Sequence, residues 1–208
     1  MEVDFKMITG KQKTLSCSPQ DNNSSEHGMT NTRYEYSFKE RLFDVKDKFI
    51  VDFGTGYGWG IQTLFRYGNP KQVIGIDLNE KAWKEAKRFE GDKVKIIRDE
   101  IWQTGLEKES VDIGMVIETI EHVDSEELNL FLDEVHKILK IKGILYIMTP
   151  EQRLDKSEYP AGSHWTEYGL NELIKIIEMK GFKNIYKRHG SGDLFGSMVF
   201  MFEKLEVY

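Results

Sequence analysis

Glycine recurs at every second position directly after a short apolar run, and this pattern constrains the fold of the chain more than any other. The run ends at Asp52 and has the composition of a buried parallel strand, and the glycines that follow are Gly54, Gly56, Gly58 and Gly60. Because glycine has no Cβ, the backbone there can turn sharply and approach a ligand closely. The pattern therefore predicts a strand followed by a ligand-binding loop.

A second apolar run ends in an acidic residue at the spacing expected of a ribose-binding carboxylate. Asp77 lies 23 positions after Gly54 (77 − 54), near the offset of about 20 residues found in nucleotide-binding βαβ units. A carboxylate at that place can accept hydrogen bonds from both ribose hydroxyls. The dinucleotide fingerprint Gly-x-Gly-x-x-Gly would need another glycine where Trp59 or Ile61 stands, which disfavours a nicotinamide dinucleotide.

The string from Asp52 to Gly58, Asp-x-Gly-x-Gly-x-Gly, resembles the glycine loop of class I S-adenosylmethionine-dependent methyltransferases. The resemblance covers the chain from about Tyr34 onward and is closest to the methyltransferase type 11 and 12 group, which includes enzymes of surface-polysaccharide pathways. It implies S-adenosylmethionine as the cofactor. The chain would then divide into a flexible N-terminal segment or lid, residues 1–33, and a methyltransferase domain, residues 34–208.

The same resemblance assigns cofactor contacts along the chain. It implies that Asp52, at the end of the first strand, lies near the cofactor's ammonium and that Asp99, after the third strand, contacts the adenine amino group. It also implies an N-terminal helix over the methionine end. The expected cofactor-binding residues are Arg33, Tyr34, Asp52, Gly54, Thr55, Gly56, Gly58, Asp77, Leu78, Asp99, Glu100, Ile101 and Glu118.

A cluster of ionisable residues follows the fourth predicted strand. Glu118, Glu121 and His122 are three and four positions apart, so a helical turn would place them on one face. His164, in the loop after the fifth strand, could join them at the same edge of the sheet. Two carboxylates with imidazoles could form a borderline-to-hard metal site, so these four are candidate ligands of a divalent metal such as Mg²⁺ or Mn²⁺.

The alternative for this cluster is a metal-free acceptor site, in which His122, His164 and Glu121 are the catalytic candidates. The string Glu-x-x-Glu-His resembles metal-dependent methyltransferases that act on the terminal ribose of small RNAs, and ubiquinone-pathway O-methyltransferases. A Glu-His pair after this strand also occurs in methyltransferases without metal. Both mechanisms remain open from the sequence, with a slight preference for the metal-free one.

Strand and helix patterns alternate along the chain. The predicted fold is α/β: a doubly wound, seven-stranded, mostly parallel Rossmann-like sheet with a C-terminal antiparallel hairpin strand. Helices are expected over 61–67, after Asn79, after the capping pair Asp124 and Glu127, and after Thr166. The fifth strand is expected over 144–148, and His136 is expected at the surface of its helix.

Composition narrows the function classes. The 208 residues carry a net charge of −6, so nucleic acid and anionic membranes are unlikely partners, and the expected partner is a small-molecule acceptor. Cys17 is the only cysteine, and no apolar run is long enough to span a bilayer. With no signal-peptide pattern at the N-terminus, the expected location is cytoplasmic.

The sequence thus predicts methyl transfer from S-adenosylmethionine to a hydroxyl, or an amine, of a small polar acceptor such as a sugar or metabolite. The alternatives are a metal-dependent RNA ribose methyltransferase and a non-catalytic S-adenosylmethionine-binding module. A nucleotide-sugar or nicotinamide enzyme of the same sheet class is a further rival, which Trp59 and Ile61 disfavour.

Overall fold

A single seven-stranded sheet organises the molecule, which is represented by a computed structural model that describes residues 33–36, 44–151, 168–189 and 197–206. The strands are β1 (Phe49–Phe53), β2 (Gln72–Ile76), β3 (Val94–Ile97), β4 (Val111–Ile117), β5 (Leu139–Pro150), β6 (Phe182–Arg188) and β7 (Ser197–Lys204). The helices are α1 (Trp59–Tyr67), α2 (Glu80–Ala86), α3 (Ser125–Ile138) and α4 (Leu170–Glu178).

The strand order is β3-β2-β1-β4-β5-β7-β6. Strands β1 to β5 pair in parallel, and β7 is antiparallel to both β5 and β6. The predicted fold class is therefore confirmed. The chain moves outward from β1 to β3 and returns with β4 on the other side of β1, so the carboxyl ends of β1 and β4 flank a crevice. Ligands of doubly wound sheets bind at such a reversal of strand order.

Local signals place the helix starts as expected. The Asn79 side chain accepts a hydrogen bond from the backbone N–H of Ala82, and Asp124 caps α3 in a reciprocal box with Glu127. Helix α1 begins at Trp59, two residues before the predicted start, because Gly58 adopts a left-handed conformation (φ 79°) directly before it.

Strand β5 is longer than predicted. The sequence pair Lys142-Gly143 indicates a turn before a strand over 144–148, but β5 already begins at Leu139, directly after α3. Lys142 has a positive φ of 63°, and the pairing with β4 shifts register between Val111 and Ile113. The residues that favour a turn therefore form an irregularity inside the strand, and the flanking apolar residues continue the ladder.

Both faces of the sheet are covered by apolar side chains, as expected of parallel strands. One cluster packs α3 and α4 against the sheet, and the other packs α1 and the helical residues 33–36 against the opposite face. The expectation that His136 lies at the surface is wrong, because its half-buried ring packs edge-on against Phe182 with centroids 5.4 Å apart. No helix among the described residues is long and apolar enough to cross a membrane.

Candidate functional site

The glycine loop lies across the carboxyl ends of β1 and β2. The backbone N–H groups of Gly54 and Thr55 donate to the Ile76 carbonyl oxygen at 2.8 and 3.0 Å, which fixes the start of the loop. Gly56 has φ 55°, and a Cβ built on it would meet no atom within 4 Å. The loop backbone at Gly56 therefore faces open space, as close approach of a ligand requires.

Asp77 fastens the loop from the end of β2. Its Oδ2 accepts a hydrogen bond from the Gly56 N–H at 2.7 Å, and its Oδ1 accepts one from the Asn79 N–H at 2.8 Å. Burial raises the pKa of Asp77, and these two hydrogen bonds oppose that rise. Each carboxylate oxygen has a second lone pair, so the group can also accept from a ligand hydroxyl. Leu78, which follows it, is partly exposed.

Asp52 is fully buried beneath the loop. It accepts hydrogen bonds from the Tyr34 hydroxyl at 2.7 Å and from the Thr55 hydroxyl at 2.8 Å. Burial raises its pKa to about 6. Asp52 therefore joins the N-terminal helical residues to the glycine loop from inside the protein, and the expected contact of Asp52 with the cofactor's ammonium stays a prediction.

The residues expected at the adenine follow β3. The Glu100 N–H donates to Asp99 Oδ1 at 2.9 Å, which closes a tight turn after the strand. Ile101 is buried, with 7% of its surface exposed. Because β3 pairs with β2, this turn lies next to the strand that carries Asp77. The arrangement places a polar and an apolar residue on the side of the crevice formed by β2 and β3.

Glu118 lies directly after β4 and has an unusual backbone. Its φ is 52°, in the left-handed region that non-glycine residues rarely adopt. Its carboxylate accepts a hydrogen bond from the Ser197 hydroxyl at 2.7 Å and pairs with the Arg33 guanidinium at 3.3 Å. Strained residues of this kind are often found at functional sites.

Glu121 and His122 occupy a short 3-10 turn, Ile120–His122, rather than an α-helical one. Glu121 is 1% exposed and accepts a hydrogen bond from the Thr149 hydroxyl at 3.0 Å. Burial, and then the neighbouring Glu118 carboxylate, raises the pKa of Glu121 well above its usual range. The partly exposed His122 ring has its Nε2 4.0 Å from Glu121 Oε1.

The four candidate metal ligands are thus separated in part. Glu118 bonds to Ser197 and Arg33, whereas Glu121 is buried against Thr149. Within the ranges that the structure describes, no three histidine, cysteine or acidic side chains converge as a metal site would require. His164 lies outside the described residues, so its predicted part in the cluster stays a prediction.

Sequence reasoning missed three residues that shape this site: Ser197, Thr149 and Thr119. Ser197 begins β7, and the antiparallel direction of β7 brings its first residue to the carboxyl end of β5, opposite Pro150. A Cβ on Gly54 would lie 2.3 Å from Thr119 Oγ1, so the chain after β4 packs directly on the glycine loop. A hydroxyl residue at a strand end carries no sequence signal for such contacts.

The central part of the chain matches a known protein family. Residues 51–147 match the family model described as "Methyltransferase domain". The match begins within β1, includes the glycine loop, Asp77 and the Glu118–His122 segment, and ends within β5. No curated protein matches the sequence.

Solved structures show the same fold at low sequence identity. A SAM-dependent methyltransferase from Aquifex aeolicus has a TM-score of 0.69 and 20% identity, over 89% of this chain and 100% of its own. An S-adenosylmethionine-dependent methyltransferase from Mesorhizobium loti has a TM-score of 0.70 and 16% identity, over 85% and 100%. The magnesium protoporphyrin IX methyltransferase of Synechocystis PCC 6803, solved with bound SAH, has a TM-score of 0.69 and 15% identity, over 89% of each chain.

Proposed function

We propose that this chain is a class I S-adenosylmethionine-dependent methyltransferase and that it methylates a hydroxyl group, or else an amine, of a small polar acceptor. The observation that carries the proposal is His122, a partly exposed imidazole on the turn directly after β4. A hydroxyl must lose its proton when it is methylated, and histidine has a pKa suited to accepting one near neutral pH.

The residues present fit the cofactor. Gly56 leaves open space above its backbone, and Asp77 can accept hydrogen bonds from ribose hydroxyls beside it. The turn from Asp99 to Ile101 would hold the adenine, and Glu118 lies on the methionine side. S-adenosylmethionine supplies a methyl group already activated by a sulfonium, so the protein's tasks are to align the acceptor and to take up a proton.

His122 performs the proton transfer in this proposal. Its imidazole accepts the proton of the acceptor hydroxyl as the oxygen gains the methyl group. Glu121 lies beside this ring, buried against Thr149, where burial favours the neutral carboxyl form.

We further propose that the reaction is metal-free. The carboxyl groups of Glu118 and Glu121 already accept hydrogen bonds from protein hydroxyls, and that of Glu118 also pairs with Arg33. Binding of Mg²⁺ or Mn²⁺ would require Glu118 to leave Arg33 and the buried Glu121 to turn outward. The net charge of the protein is −6, and because RNA is also negatively charged, this favours a small acceptor over an RNA end.

Release of S-adenosylhomocysteine with a panel of sugar, phenol, amine and RNA acceptors tests the acceptor class. The expected result is turnover with a hydroxyl acceptor and a loss of roughly 10²- to 10⁴-fold in His122→Gln, the usual contribution of a general base. Affinity for S-adenosylmethionine should stay unchanged in that variant. His136→Gln is the matched control, since His136 lies on α3 and packs against Phe182 of β6. Equal turnover of His122→Gln and the wild type would refute the role of His122.

Chelation tests the metal-free mechanism. Prolonged incubation with excess EDTA should leave turnover unchanged, and added Mn²⁺ should give no stimulation. Loss of turnover with EDTA and its recovery with Mn²⁺ or Mg²⁺ would contradict this proposal. A metal would then serve to lower the pKa of the acceptor hydroxyl.

A further inference from the structure

Ser197 forms a contact that no feature of the sequence suggests. It is 1% exposed at the first position of β7, and its hydroxyl donates to Glu118 Oε1 at 2.7 Å. The other carboxylate oxygen of Glu118 lies 3.3 Å from the Arg33 guanidinium. Three distant parts of the chain therefore hold one carboxylate: the N-terminal helical residues, the end of β4 and the start of β7.

This carboxylate lies beside the glycine loop. Thr119, the next residue, packs so closely on Gly54 that a Cβ there would lie 2.3 Å from Thr119 Oγ1, and the Thr119 hydroxyl donates to the Phe53 carbonyl oxygen at 3.2 Å. The N–H of Glu118 donates to the Met148 carbonyl oxygen at 2.8 Å, which ties the same residue to β5. Glu118 is thereby fixed, side chain and backbone, at the crevice between β1 and β4.

We propose that Ser197 is a positioning residue that holds the Arg33–Glu118 pair so that the pair binds the zwitterionic amino-acid end of S-adenosylmethionine. An adjacent carboxylate and guanidinium match an α-ammonium and an α-carboxylate in charge, and each can make charge-assisted hydrogen bonds to its counterpart. The proposal rests on the cofactor of the family and not on the acceptor named above.

The strained backbone of Glu118 makes the hydrogen bond from Ser197 important for holding Glu118 in place. With φ 52°, Glu118 pays a conformational cost that the surrounding contacts must offset. Removing the Ser197 hydroxyl takes one hydrogen bond from this carboxylate, so the side chain is held less firmly in its rotamer. The cofactor would have to order it again on binding, and that lowers the affinity.

Calorimetric binding of two ligands to the full chain tests the role of Ser197. S-adenosylhomocysteine carries the amino-acid end, and 5′-methylthioadenosine is the nucleoside without it. Ser197→Ala should weaken binding of S-adenosylhomocysteine by roughly 5- to 30-fold, less than the loss of a whole charge-assisted hydrogen bond, because Ser197 acts through Glu118 and does not contact the ligand. Binding of 5′-methylthioadenosine should stay within about twofold of wild type, because neither Glu118 nor Arg33 contacts it in this proposal.

A double-mutant cycle provides a second test, which does not depend on the comparison with 5′-methylthioadenosine. Glu118→Gln alone should weaken S-adenosylhomocysteine, and Ser197→Ala should add little to it in the double variant, because both changes act through the same carboxylate. Thr104→Val is the matched control: the Thr104 hydroxyl also donates to a glutamate, Glu134 on α3, away from the crevice. It should leave both affinities unchanged.

Two results would overturn the proposal. One is an equal loss of affinity for both ligands in Ser197→Ala, which would indicate a general structural effect. The other is full additivity of Ser197→Ala and Glu118→Gln on S-adenosylhomocysteine. Because no acceptor is present in these measurements, failure of the acceptor proposal would leave them unchanged, and the two failures can be told apart.

Discussion

Two buried aspartates at the ends of neighbouring strands differ in what holds them. Asp77 accepts hydrogen bonds from two backbone N–H groups, whereas Asp52 accepts from two side-chain hydroxyls. Burial raises the pKa of both. Asp77 borders the open space above Gly56, and Asp52 lies beneath the loop. The first is therefore placed to bind ligand, and the second to hold the loop to Tyr34.

Replacing Asp77 with asparagine should weaken S-adenosylmethionine binding by roughly 1.5–3 kcal/mol, about 10- to 150-fold, the range for a hydrogen bond to a charged group. Asparagine keeps the size of the side chain, so the circular dichroism spectrum should not change. Calorimetry provides the affinity. Asp112→Asn is the control, since Asp112 lies at the opposite end of β4, where it pairs with Lys140. An unchanged affinity in Asp77→Asn would remove Asp77 from the site.

The raised pKa of Asp52, about 6 against an unfolded value near 3.8, makes stability depend on pH. An acid whose pKa is raised on folding binds more protons in the folded state between these two values. Stability from this group is therefore full below about pH 4 and is lost as pH rises through about 6, at most about 3 kcal/mol in total.

Urea unfolding from pH 4 to pH 8 measures this effect. The difference in unfolding free energy between the wild type and Asp52→Asn should fall as pH rises to about 6 and be constant above it. Subtracting the variant removes the contribution of Asp77 and Glu121, whose pKa values are also raised. A difference that is flat from pH 4 to 8 would show that Asp52 has an ordinary pKa in the folded state.

At the scale of elements, the helical residues 33–36 pack across several strand ends. Arg33 pairs with Glu118 after β4, and the Tyr34 hydroxyl donates to Asp52 in β1. The Arg188 guanidinium, at the end of β6, lies over the Tyr36 ring, 5.3 Å from the ring centroid.

Tyr34 also fills the space beside Gly60, where a Cβ would lie 2.1 Å from the Tyr34 ring. A glycine in the first turn of α1 is thus required by packing.

Gly60→Ala should therefore destabilise the protein by roughly 1–3 kcal/mol, the cost of overpacking. Helix propensity alone predicts the opposite, a gain of up to about 1 kcal/mol. Urea unfolding distinguishes the two. Gly91→Ala is the control and should be within about 0.5 kcal/mol of wild type, since a Cβ there meets nothing within 4 Å. A stabilised Gly60→Ala would mean that Tyr34 does not pack on α1.

Elements and caps could be predicted from the sequence because their signals are local. Asn79 and Asp124 cap helices through contacts within three residues, and the residues of the glycine loop all lie in one short stretch of the sequence. The Ser197–Glu118 hydrogen bond joins residues 79 positions apart, and the Tyr34–Asp52 bond joins residues 18 apart. Such contacts depend on which strands become neighbours. Strand β7 lies between β5 and β6, and no local sequence pattern indicates this position.

At the scale of the whole molecule, the reversal of strand order after β3 creates one crevice with two different sides. One side, formed by β2 and β3, carries Asp77 and Asp99, and the other side, after β4, carries Glu118 and His122. The glycine loop lies between them. Cofactor binding at this loop is the claim on which every other assignment depends.

Calorimetric titration of S-adenosylmethionine into Gly56→Val tests that claim most directly. A β-branched side chain would fill the open space at Gly56 and strain a φ of 55°, so binding should be lost. Gly105→Val is the matched control, because Gly105 also has a positive φ (65°) with nothing within 4 Å of its Cβ position, in the loop before β4. The predicted result is binding by the wild type and Gly105→Val and none by Gly56→Val; normal binding by Gly56→Val would contradict it.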